Sequence, residues 1–343
     1  MSYEHLFFND YSEGAHPAIL AALSENNLSQ ELGYGADTFT AEAITLIREG
    51  SGNPRAAVHL VSGGTQANLV VCAALLKPYE SIIAAASAHI CVHETGAIEA
   101  TGHKIHHIPH HHGKIAPEEV LKVIESHSSE HMLRPKMVFI SQATELGTVY
   151  TRDEVAKLSE VCRSSGLLLY VDGARLPASL ASDATDLTLR DLGELADVFY
   201  IGATKCGALF GEAIVVCTDG CADDFRFHLK QRGALLAKGR FLGLQFRELL
   251  RNDLMIELSR YAVLQAQRLA RGVEAAGYQL LCPVATNQIF AILPDDAISR
   301  LQERFGFYTW ERLPDRHSTI RLVTSWATPP EAVDAFLTAL SRL

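Results

Sequence analysis

The sequence predicts an α/β fold, with a large domain built on a mainly parallel sheet and a smaller domain after it. Three observations lead to this prediction: short apolar runs alternate with helix-like segments, these runs are hydrophobic throughout, and a glycine-rich turn joins one run to a helix. Runs without polar alternation are typical of strands that are covered on both faces. They occupy residues 57–61, 81–84, 137–141, 167–171, 198–201 and 213–216.

Helices are predicted between and after these strands. One covers residues 66–76, directly after the glycine-rich turn, and another covers residues 152–164 and closes at Gly166. Further helices are predicted at residues 116–125, at residues 254–276, which have apolar residues at intervals of three and four, and at residues 330–343. We therefore predict a large domain over residues 1–235, with an N-terminal arm, and a small domain over residues 236–343.

Composition narrows the function classes. The chain has 343 residues, 48% of them hydrophobic, which is enough for a substantial core. A formal charge of −10 argues against a nucleic-acid partner, because such affinity comes from clustered cations. The seven cysteines include no CxxC pair, the N-terminus has no basic leader, and no apolar run approaches the roughly 18 residues of a membrane span. We expect a cytoplasmic protein without membrane contact.

Two charged residues stand at the ends of apolar strands. Lys205 lies between the predicted strands at 198–201 and 213–216, and Asp172 follows the apolar strand at 167–171. A buried lysine is costly to keep charged, so its presence there calls for a reason. Open α/β sheets bind their ligands at the carboxyl ends of strands, where both residues are predicted. They are therefore candidates for one site.

The stretch Ser62-Gly-Gly-Thr-Gln-Ala-Asn68 opens a helix with two glycines. Such a turn can cradle a phosphate with backbone N–H groups, although alone it indicates only a tight strand-to-helix connection. Together with a buried acid and an isolated lysine it predicts a pyridoxal 5′-phosphate enzyme. That cofactor needs an anion site, a carboxylate at its ring nitrogen and an amine that forms a Schiff base.

The sequence also resembles the low-specificity threonine aldolases of the β-eliminating lyase group, in particular the branch with Leishmania-type threonine aldolase and bacterial phenylserine aldolase. Nearly the whole chain carries the likeness. Its motifs are Asn9-Asp-Tyr-Ser-Glu-Gly14, Gly33-Tyr-Gly35, Ser62-Gly-Gly-Thr-Gln66, Ala88-His-Ile90, His93-Glu-Thr-Gly-Ala97, Thr144-Glu-Leu-Gly-Thr148, Val171-Asp-Gly-Ala-Arg175, Gly202-Ala-Thr-Lys205, Lys230-Gln-Arg-Gly-Ala234 and Thr324-Ser-Trp-Ala327.

The resemblance implies a fold-type I pyridoxal phosphate enzyme with a seven-stranded sheet and a smaller C-terminal α+β domain. It implies cleavage of β-hydroxy-α-amino acids such as threonine, allo-threonine or phenylserine to glycine and an aldehyde, through an external aldimine and a quinonoid. It also implies a homodimer or homotetramer with shared active sites. The small-molecule partner would be the amino acid.

The resemblance likewise implies roles for single residues. Lys205 would form the Schiff base, His89 would stack on the cofactor ring and Asp172 would pair with the ring nitrogen. The phosphate would be held by Gly63, Gly64 and Thr65, and Thr204 would also contact the cofactor. Arg175 and Arg321 would lie near the substrate carboxylate, with Ser12 in the same pocket, and Arg175 would contact the cofactor as well. Arg232 would belong to a basic loop that reaches a neighbouring subunit's cofactor.

This chain departs from the family pattern at two motifs. Many members read Arg-Ser-Asp-Thr where this chain reads Asp10-Tyr-Ser-Glu13, and Thr-His-Asn-Gly where it reads Thr144-Glu-Leu-Gly147. Glu145 therefore replaces the family histidine near the substrate hydroxyl, as in the phenylserine branch. The base that removes the hydroxyl proton stays open among His89, His93, Glu145 and water.

Other interpretations remain open at this point. The same cofactor residues would serve β-elimination or transamination, and a non-catalytic α/β protein could use the pocket to bind a ligand. The cluster of six histidines between His103 and His112 is expected to be a solvated loop rather than a metal site, since no Cys, Asp or Glu has matching spacing. Cys206 is expected to be a small buried filler rather than a reactive thiol.

Overall fold

The computed structural model describes residues 3–221 and 223–343, and within them a seven-stranded sheet forms the centre of the larger body. The strands are β1 (His5–Leu6), β2 (Ala57–Val61), β3 (Glu80–Ala85), β4 (Ile105–Ile108), β5 (Arg134–Ser141), β6 (Leu168–Asp172), β7 (Val198–Gly202), β8 (Glu212–Val216), β9 (Gln279–Leu280), β10 (Gln288–Pro294), β11 (Phe305–Gly306), β12 (Tyr308–Leu313) and β13 (His317–Val323).

The helices are α1 (Pro17–Glu25), α2 (Thr38–Ser51), α3 (Gly64–Leu75), α4 (His89–Val92), α5 (Pro117–Ser126), α6 (Arg152–Ser165), α7 (Leu176–Leu180), α8 (Leu189–Leu195), α9 (Phe225–Gln231), α10 (Arg240–Leu250), α11 (Leu254–Ala275), α12 (Asp295–Leu301) and α13 (Pro330–Leu340). Two short 3₁₀ turns cover Glu99–Thr101 and Arg251–Asp253. Among the described residues, no helix combines the length and the apolar character needed to cross a membrane.

The large sheet has the strand order β2-β8-β7-β6-β5-β3-β4. β8 runs antiparallel to β2 and β7, and the other neighbouring pairs are parallel. Every residue of β6, β7 and β8 is buried, as expected for strands covered by helices on both faces. The predicted α/β fold with a mainly parallel sheet is confirmed, and each of the six predicted strands is present with its ends shifted by at most three residues.

The helices predicted from the sequence are also present in the structure. α6 begins with a capping box, in which Thr151 and Glu154 each satisfy the other's backbone N–H, and it ends at Gly166 with a φ of 68°. α3 starts two residues earlier than predicted, at Gly64, because the second glycine of the turn is already helical. The predicted helices at 116–125, 254–276 and 330–343 correspond to α5, α11 and α13.

Only part of the histidine-rich segment is the solvated loop that we expected, since His107, His110 and His111 are exposed but residues 105–108 form a strand. His106 and His107 belong to β4, which pairs in parallel with β3 at the edge of the large sheet. His103 and His106 are buried, and their ring nitrogens hydrogen-bond to the Glu80 carbonyl (3.1 Å) and the Ser81 hydroxyl (2.9 Å). An isoleucine stands at each end of β4, and Ile105 and Ile108 are both buried.

A second, smaller body has its own sheet and core. Its antiparallel sheet has the order β12-β13-β10-β9, and α11, α12 and α13 pack around it. The N-terminal arm belongs to this body too, since β1 pairs in parallel with β11 and Phe7 lies in the second core. α10 packs against α1 and α2, and the two cores meet along α11, so the division at residues 235 and 236 stays a prediction.

Candidate active site

The carboxyl ends of neighbouring strands bring the predicted site residues to one edge of the large sheet. Asp172 is the last residue of β6, and Lys205 follows the end of β7 by three residues. The turn with Gly63 follows β2, which runs parallel to β7, and His89 follows β3. This is the edge at which open α/β sheets bind ligands.

The glycine turn leaves the first N–H groups of α3 without a side-chain cap. Gly63 is the N-cap residue of α3, and nothing lies within 4 Å of the position that a Cβ would take there. Thr65 is exposed in the first helical turn, and the Gln66 side chain folds back to accept hydrogen bonds from the Ser62 N–H and hydroxyl. The turn therefore offers backbone donors and open space to an anion.

Asp172 is buried and held at both carboxylate oxygens. The Tyr200 hydroxyl donates to Oδ1 at 2.5 Å, and the Ala174 N–H donates to the same oxygen at 3.0 Å. Asn68 Nδ2 lies 3.3 Å from Oδ2. Gly173 is required beside it, because a Cβ at that residue would overlap the Tyr200 carbonyl oxygen. The carboxylate is therefore kept in one orientation at the strand end.

Lys205 is half-buried, and its surroundings favour the neutral amine. Burial lowers the pKa of Lys205, and the nearby Arg175 lowers it further. On β8, Glu212 is buried as well, and burial raises the pKa of its carboxyl to about 8. The Thr204 hydroxyl makes two hydrogen bonds here: it accepts from the Gly211 N–H (3.0 Å) and donates to Glu212 Oε1 (2.8 Å).

His89 opens the short helix α4 and is held at two points. Its ring nitrogen Nδ1 lies 2.7 Å from Glu94 Oε1, and its side chain is 41% exposed. Its backbone N–H donates to Glu145 Oε1 at 2.8 Å. The Ser141 hydroxyl donates to the same Glu145 oxygen at 2.7 Å, and burial raises the pKa of Glu145. The Glu145 carboxyl thus anchors His89 at its backbone.

The two candidate arginines differ in what they contact. Arg175 Nε and Nη2 donate to the two oxygens of Asp10, at 2.7 and 3.0 Å, and Asn287 Nδ2 also donates to that carboxylate, at 2.8 Å. The Asp10 side chain is fully buried. The fork of Arg175 is therefore already occupied by a carboxylate of the N-terminal arm.

Arg321 has a donor to spare. It lies on β13, where its Nη2 donates to the Phe8 carbonyl at 3.2 Å. The guanidinium carbon lies 5.1 Å from the Trp310 ring centre and 5.4 Å from that of Tyr308. In the part of the chain that the structure describes, Arg321 Nε is buried without a hydrogen-bond partner. Burial, and after it Arg175, lower the pKa of Arg321.

Two of the expected site residues have other local contacts. Ser12 is exposed and donates its hydroxyl to Asn9 Oδ1 at 3.0 Å. Arg232 follows α9, and its backbone carbonyl accepts a hydrogen bond from Gln66 at 3.4 Å. Gln66 belongs to the glycine turn of the same chain. Arg232 therefore lies beside its own chain's turn.

Cys206 is buried next to Lys205. Its thiol donates to the carbonyls of Gly202 (3.2 Å) and Ala203 (3.4 Å). Burial raises the pKa of this thiol well above its ordinary value. It is the small buried residue that the sequence indicated, since only a thiolate would be reactive.

Comparison with known proteins agrees with this geometry. The family described as Beta-eliminating lyase matches residues 10–296. The chain belongs to the beta-eliminating lyase family. The match covers the glycine turn, His89, Asp172 and Lys205, so the resemblance stated from the motifs is confirmed.

Relatives and solved structures match nearly the whole chain. The low specificity L-threonine aldolase of Pseudomonas aeruginosa is 33% identical over 95% of this chain and 94% of its own length. A solved structure described as Leishmania major threonine aldolase is 45% identical, covers 98% of this chain and 99% of that one, and superposes with a TM-score of 0.97. Aspartate aminotransferase from Thermus thermophilus, at 16% identity and a TM-score of 0.74, shares the fold alone, over 99% of this chain and 91% of its own.

Four residues of this beta-eliminating lyase site were missed from the sequence: Asn68, Glu94, Glu212 and Asp10. Glu94 and Asp10 stand inside motifs that carried the family resemblance, so a signal for them existed. Asn68 has no local signal, because the Asp172 carboxylate that it contacts lies 104 residues along the chain. Glu212 hydrogen-bonds to Thr204, eight residues before it, and it is a charged residue at the start of an apolar strand, so a signal for it existed as well.

Proposed function

We propose that the protein cleaves β-hydroxy-α-amino acids between Cα and Cβ, releasing glycine and an aldehyde, with pyridoxal 5′-phosphate as cofactor. The observation that carries the proposal is the convergence of Lys205, Asp172 and the uncapped Gly63 turn at one sheet edge. Arg321, whose Nε has no hydrogen-bond partner within the described part of the chain, adds a receptor for the carboxylate of an amino acid.

The residues present fit the cofactor. The turn at Gly63 has room and free N–H groups for a phosphate, and the Asp172 carboxylate is fixed in a buried position where it can face a protonated ring nitrogen. Lys205 supplies the amine. When bound, the cofactor accepts the electron pair that is released as a bond to the substrate's Cα breaks.

Each of these residues has a chemical task that its surroundings support. The lowered pKa of Lys205 favours the neutral, nucleophilic amine that a Schiff base requires. Asp172, oriented by Tyr200 and Asn68, holds a proton at the cofactor's ring nitrogen. A fixed carboxylate stabilises the positive charge of a protonated ring nitrogen most strongly in a site that is shielded from water.

Arg321 is the proposed clamp for the substrate carboxylate. Arg175 is better suited to a structural task, because its fork is already filled by Asp10. A free guanidinium edge can take a carboxylate in two parallel hydrogen bonds, which fixes the substrate's orientation as well as its position. The aromatic rings of Trp310 and Tyr308 hold the guanidinium in place.

Arg232 is proposed to serve the cofactor phosphate of its own chain rather than that of a neighbour. The support is its backbone contact with Gln66 at the glycine turn. Its Nε is buried and has no hydrogen-bond partner among residues 3–221 and 223–343, so a donor remains for an anion.

We also propose that the protein assembles into a dimer or tetramer. Large apolar side chains are exposed between α1 and α2 and on α9: Leu28 is 90% exposed, Leu32 72% and Phe227 75%. Exposed apolar surface is typical of protein–protein interfaces, and we propose that these residues contribute to one. The reduced, cytoplasmic location expected from the sequence stays a prediction.

The test is product analysis with purified protein and added cofactor. Threonine, allo-threonine and phenylserine should each be tried, and glycine plus the matching aldehyde should form. Lys205→Ala is the control and should form neither. Ammonia and a keto acid would instead indicate β-elimination, and a protein that binds no cofactor would contradict the proposal entirely.

A further inference from the structure

The contact between His89 and Glu94 is the starting point. The Glu94 side chain is completely buried, while the His89 ring that it touches at 2.7 Å is 41% exposed. A carboxylate is rarely buried unless its hydrogen bonds compensate for the lost water. The partner of Glu94 toward the active site is His89, for which a role at the cofactor is expected.

The polar network behind Glu94 shows which groups donate. The Tyr170 hydroxyl donates to Asn68 Oδ1 at 2.7 Å, which leaves the Asn68 amide nitrogen to face the carboxylates. That nitrogen donates to Glu94 Oε1 at 2.7 Å and lies 3.3 Å from Asp172 Oδ2. If the amide were turned around, its oxygen would face Glu94 and Asp172, whose carboxylate oxygens are acceptors as well, so the amide keeps this orientation. Glu94 Oε1 is therefore an acceptor.

The tautomer of His89 follows from this. Glu94 Oε1 already accepts from the Asn68 amide, so the Nδ1 of His89, 2.7 Å from the same oxygen, is a donor and carries the hydrogen. In the neutral ring the other nitrogen, Nε2, then has the free lone pair. The same logic holds the histidine of a serine–histidine–aspartate triad in its working form.

Glu145 completes the support of His89. Its Oε1 accepts from the His89 backbone N–H and from the Ser141 hydroxyl, so this oxygen is already used. His89 is thus anchored at its backbone by Glu145 and at its ring by Glu94.

We propose that Glu94 is a positioning residue that fixes His89 as the Nδ1–H tautomer and so makes His89 Nε2 the base for the substrate's β-hydroxyl. This inference rests on the proposed function. Nε2 takes the hydroxyl proton, and the O–H electron pair becomes the second C–O bond of the aldehyde as the Cα–Cβ bond breaks. The pair of that bond stays with the glycine fragment, whose Cα gains a proton before release.

The first measurement is the histidine tautomer by ¹⁵N NMR on the full chain, with and without cofactor, with His89→Ala to assign the signal. The parent protein should show a protonated Nδ1 and an unprotonated Nε2 on His89. Glu94→Leu removes the acceptor and should give a mixture of tautomers. Glu94→Gln keeps an oxygen that can accept, and should retain the Nδ1–H form. An unprotonated Nδ1 in the parent protein would overturn the inference.

The second measurement is kinetic. Glu94→Leu should lower kcat for cleavage by about 10²-fold, the scale of general base catalysis, with a much smaller change in KM. Glu94→Gln should lose less, since the tautomer is kept. In a His89→Ala background, Glu94→Leu should cost no more than about threefold further, because two residues that act as a unit are not additive. Additive losses would overturn the inference.

Glu80→Gln is the matched control. Glu80 is a buried carboxylate on β3, and it accepts a hydrogen bond from the Lys77 N–H, away from His89. Its substitution should leave the His89 tautomer and kcat unchanged, and a loss equal to that of Glu94→Leu would show a merely structural effect. Because the tautomer is measured without turnover, a failure of the inference is distinguishable from a failure of the proposed function.

Discussion

Arg321→Lys is the substitution that tests the proposed carboxylate clamp most directly. Lysine keeps the positive charge but presents it as a point, so it cannot form the two parallel hydrogen bonds of a guanidinium edge. Arg321 uses only Nη2 on the protein, at the Phe8 carbonyl, and its Nε is buried and free among the described residues. The substrate would therefore lose an orienting contact rather than a structural one.

The expected magnitude follows from that contact. Loss of one preorganised donor to a buried charged group costs about 2–4 kcal/mol in the reaction step. This corresponds to a fall in kcat/KM of about one and a half to three decades. The half of the site around Lys205 does not touch Arg321, so cofactor binding should be preserved.

The assay combines three measurements on Arg321→Lys and its parent. These are kcat/KM for threonine and phenylserine, the dissociation constant of glycine, and the absorbance of the bound cofactor. In Arg321→Lys, kcat/KM should fall, the dissociation constant of glycine should rise and the cofactor absorbance should stay the same. Arg304→Lys is the control, since Arg304 is a partly exposed residue that pairs with Glu4 at the surface and should have no effect.

One result would refute the reasoning. If Arg321→Lys cleaved both substrates at nearly the parental rate, Arg321 would not hold the carboxylate. Arg175 would then be the clamp, and its pairing with Asp10 would have to open when substrate binds.

Further predictions concern the rest of the site. Lys205→Ala should lose the Schiff base that borohydride traps, and peptide mapping that places the label on another lysine would contradict the assignment. Asp172→Ala should lower kcat far more than cofactor content, because its charge acts as the reaction proceeds; near-normal turnover would exclude that role. Burial alone would raise the pKa of Asp10, but the charge of Arg175 and the hydrogen bonds to Asp10 outweigh burial and lower this pKa below its ordinary value of about 3.9. The ionised Asp10 therefore stabilises the fold fully above that pH, and this stabilisation is lost as the pH falls through the pKa of the folded state. Asp10→Asn should therefore cost about 3–5 kcal/mol at pH 7, with a deficit that narrows below pH 4 in thermal unfolding; a deficit independent of pH would be evidence against the ion pair. Light scattering should show at least a dimer, and a fully active monomer at assay concentration would rule out the proposed assembly.

Much of the architecture could be predicted because it is recorded locally. A strand buried on both faces needs an apolar residue at every position, and the runs at β6, β7 and β8 show this directly. The turn at Gly63 was likewise visible, because two glycines precede a helix-like segment. The helix end at Gly166 was visible because glycine adopts its φ of 68° without strain. Lys205 and Asp172 stood out because charges at the ends of apolar strands are unusual.

The histidine-rich segment shows where local reasoning failed. Six histidines in ten residues are polar by composition, yet two of them are buried and hydrogen-bond to β3. An imidazole can be polar in water and satisfied in a core, so its residue type does not decide which. Only the pairing with a neighbouring strand turned this stretch into β4.

The sequence by itself thus determined the layered α/β fold, the position of the phosphate turn and the lysine–aspartate pair at the strand ends. Only the tertiary structure decided which charged side chains of the site pair with one another. Arg175 is paired because Asp10, 165 residues away, reaches it, and His89 is oriented because Glu94 and Asn68 meet beneath it. Backbone preferences act over a few residues and leave a pattern in the chain. Hydrogen bonds between buried side chains depend on distance and direction in space, and those exist only once the strands and helices have packed.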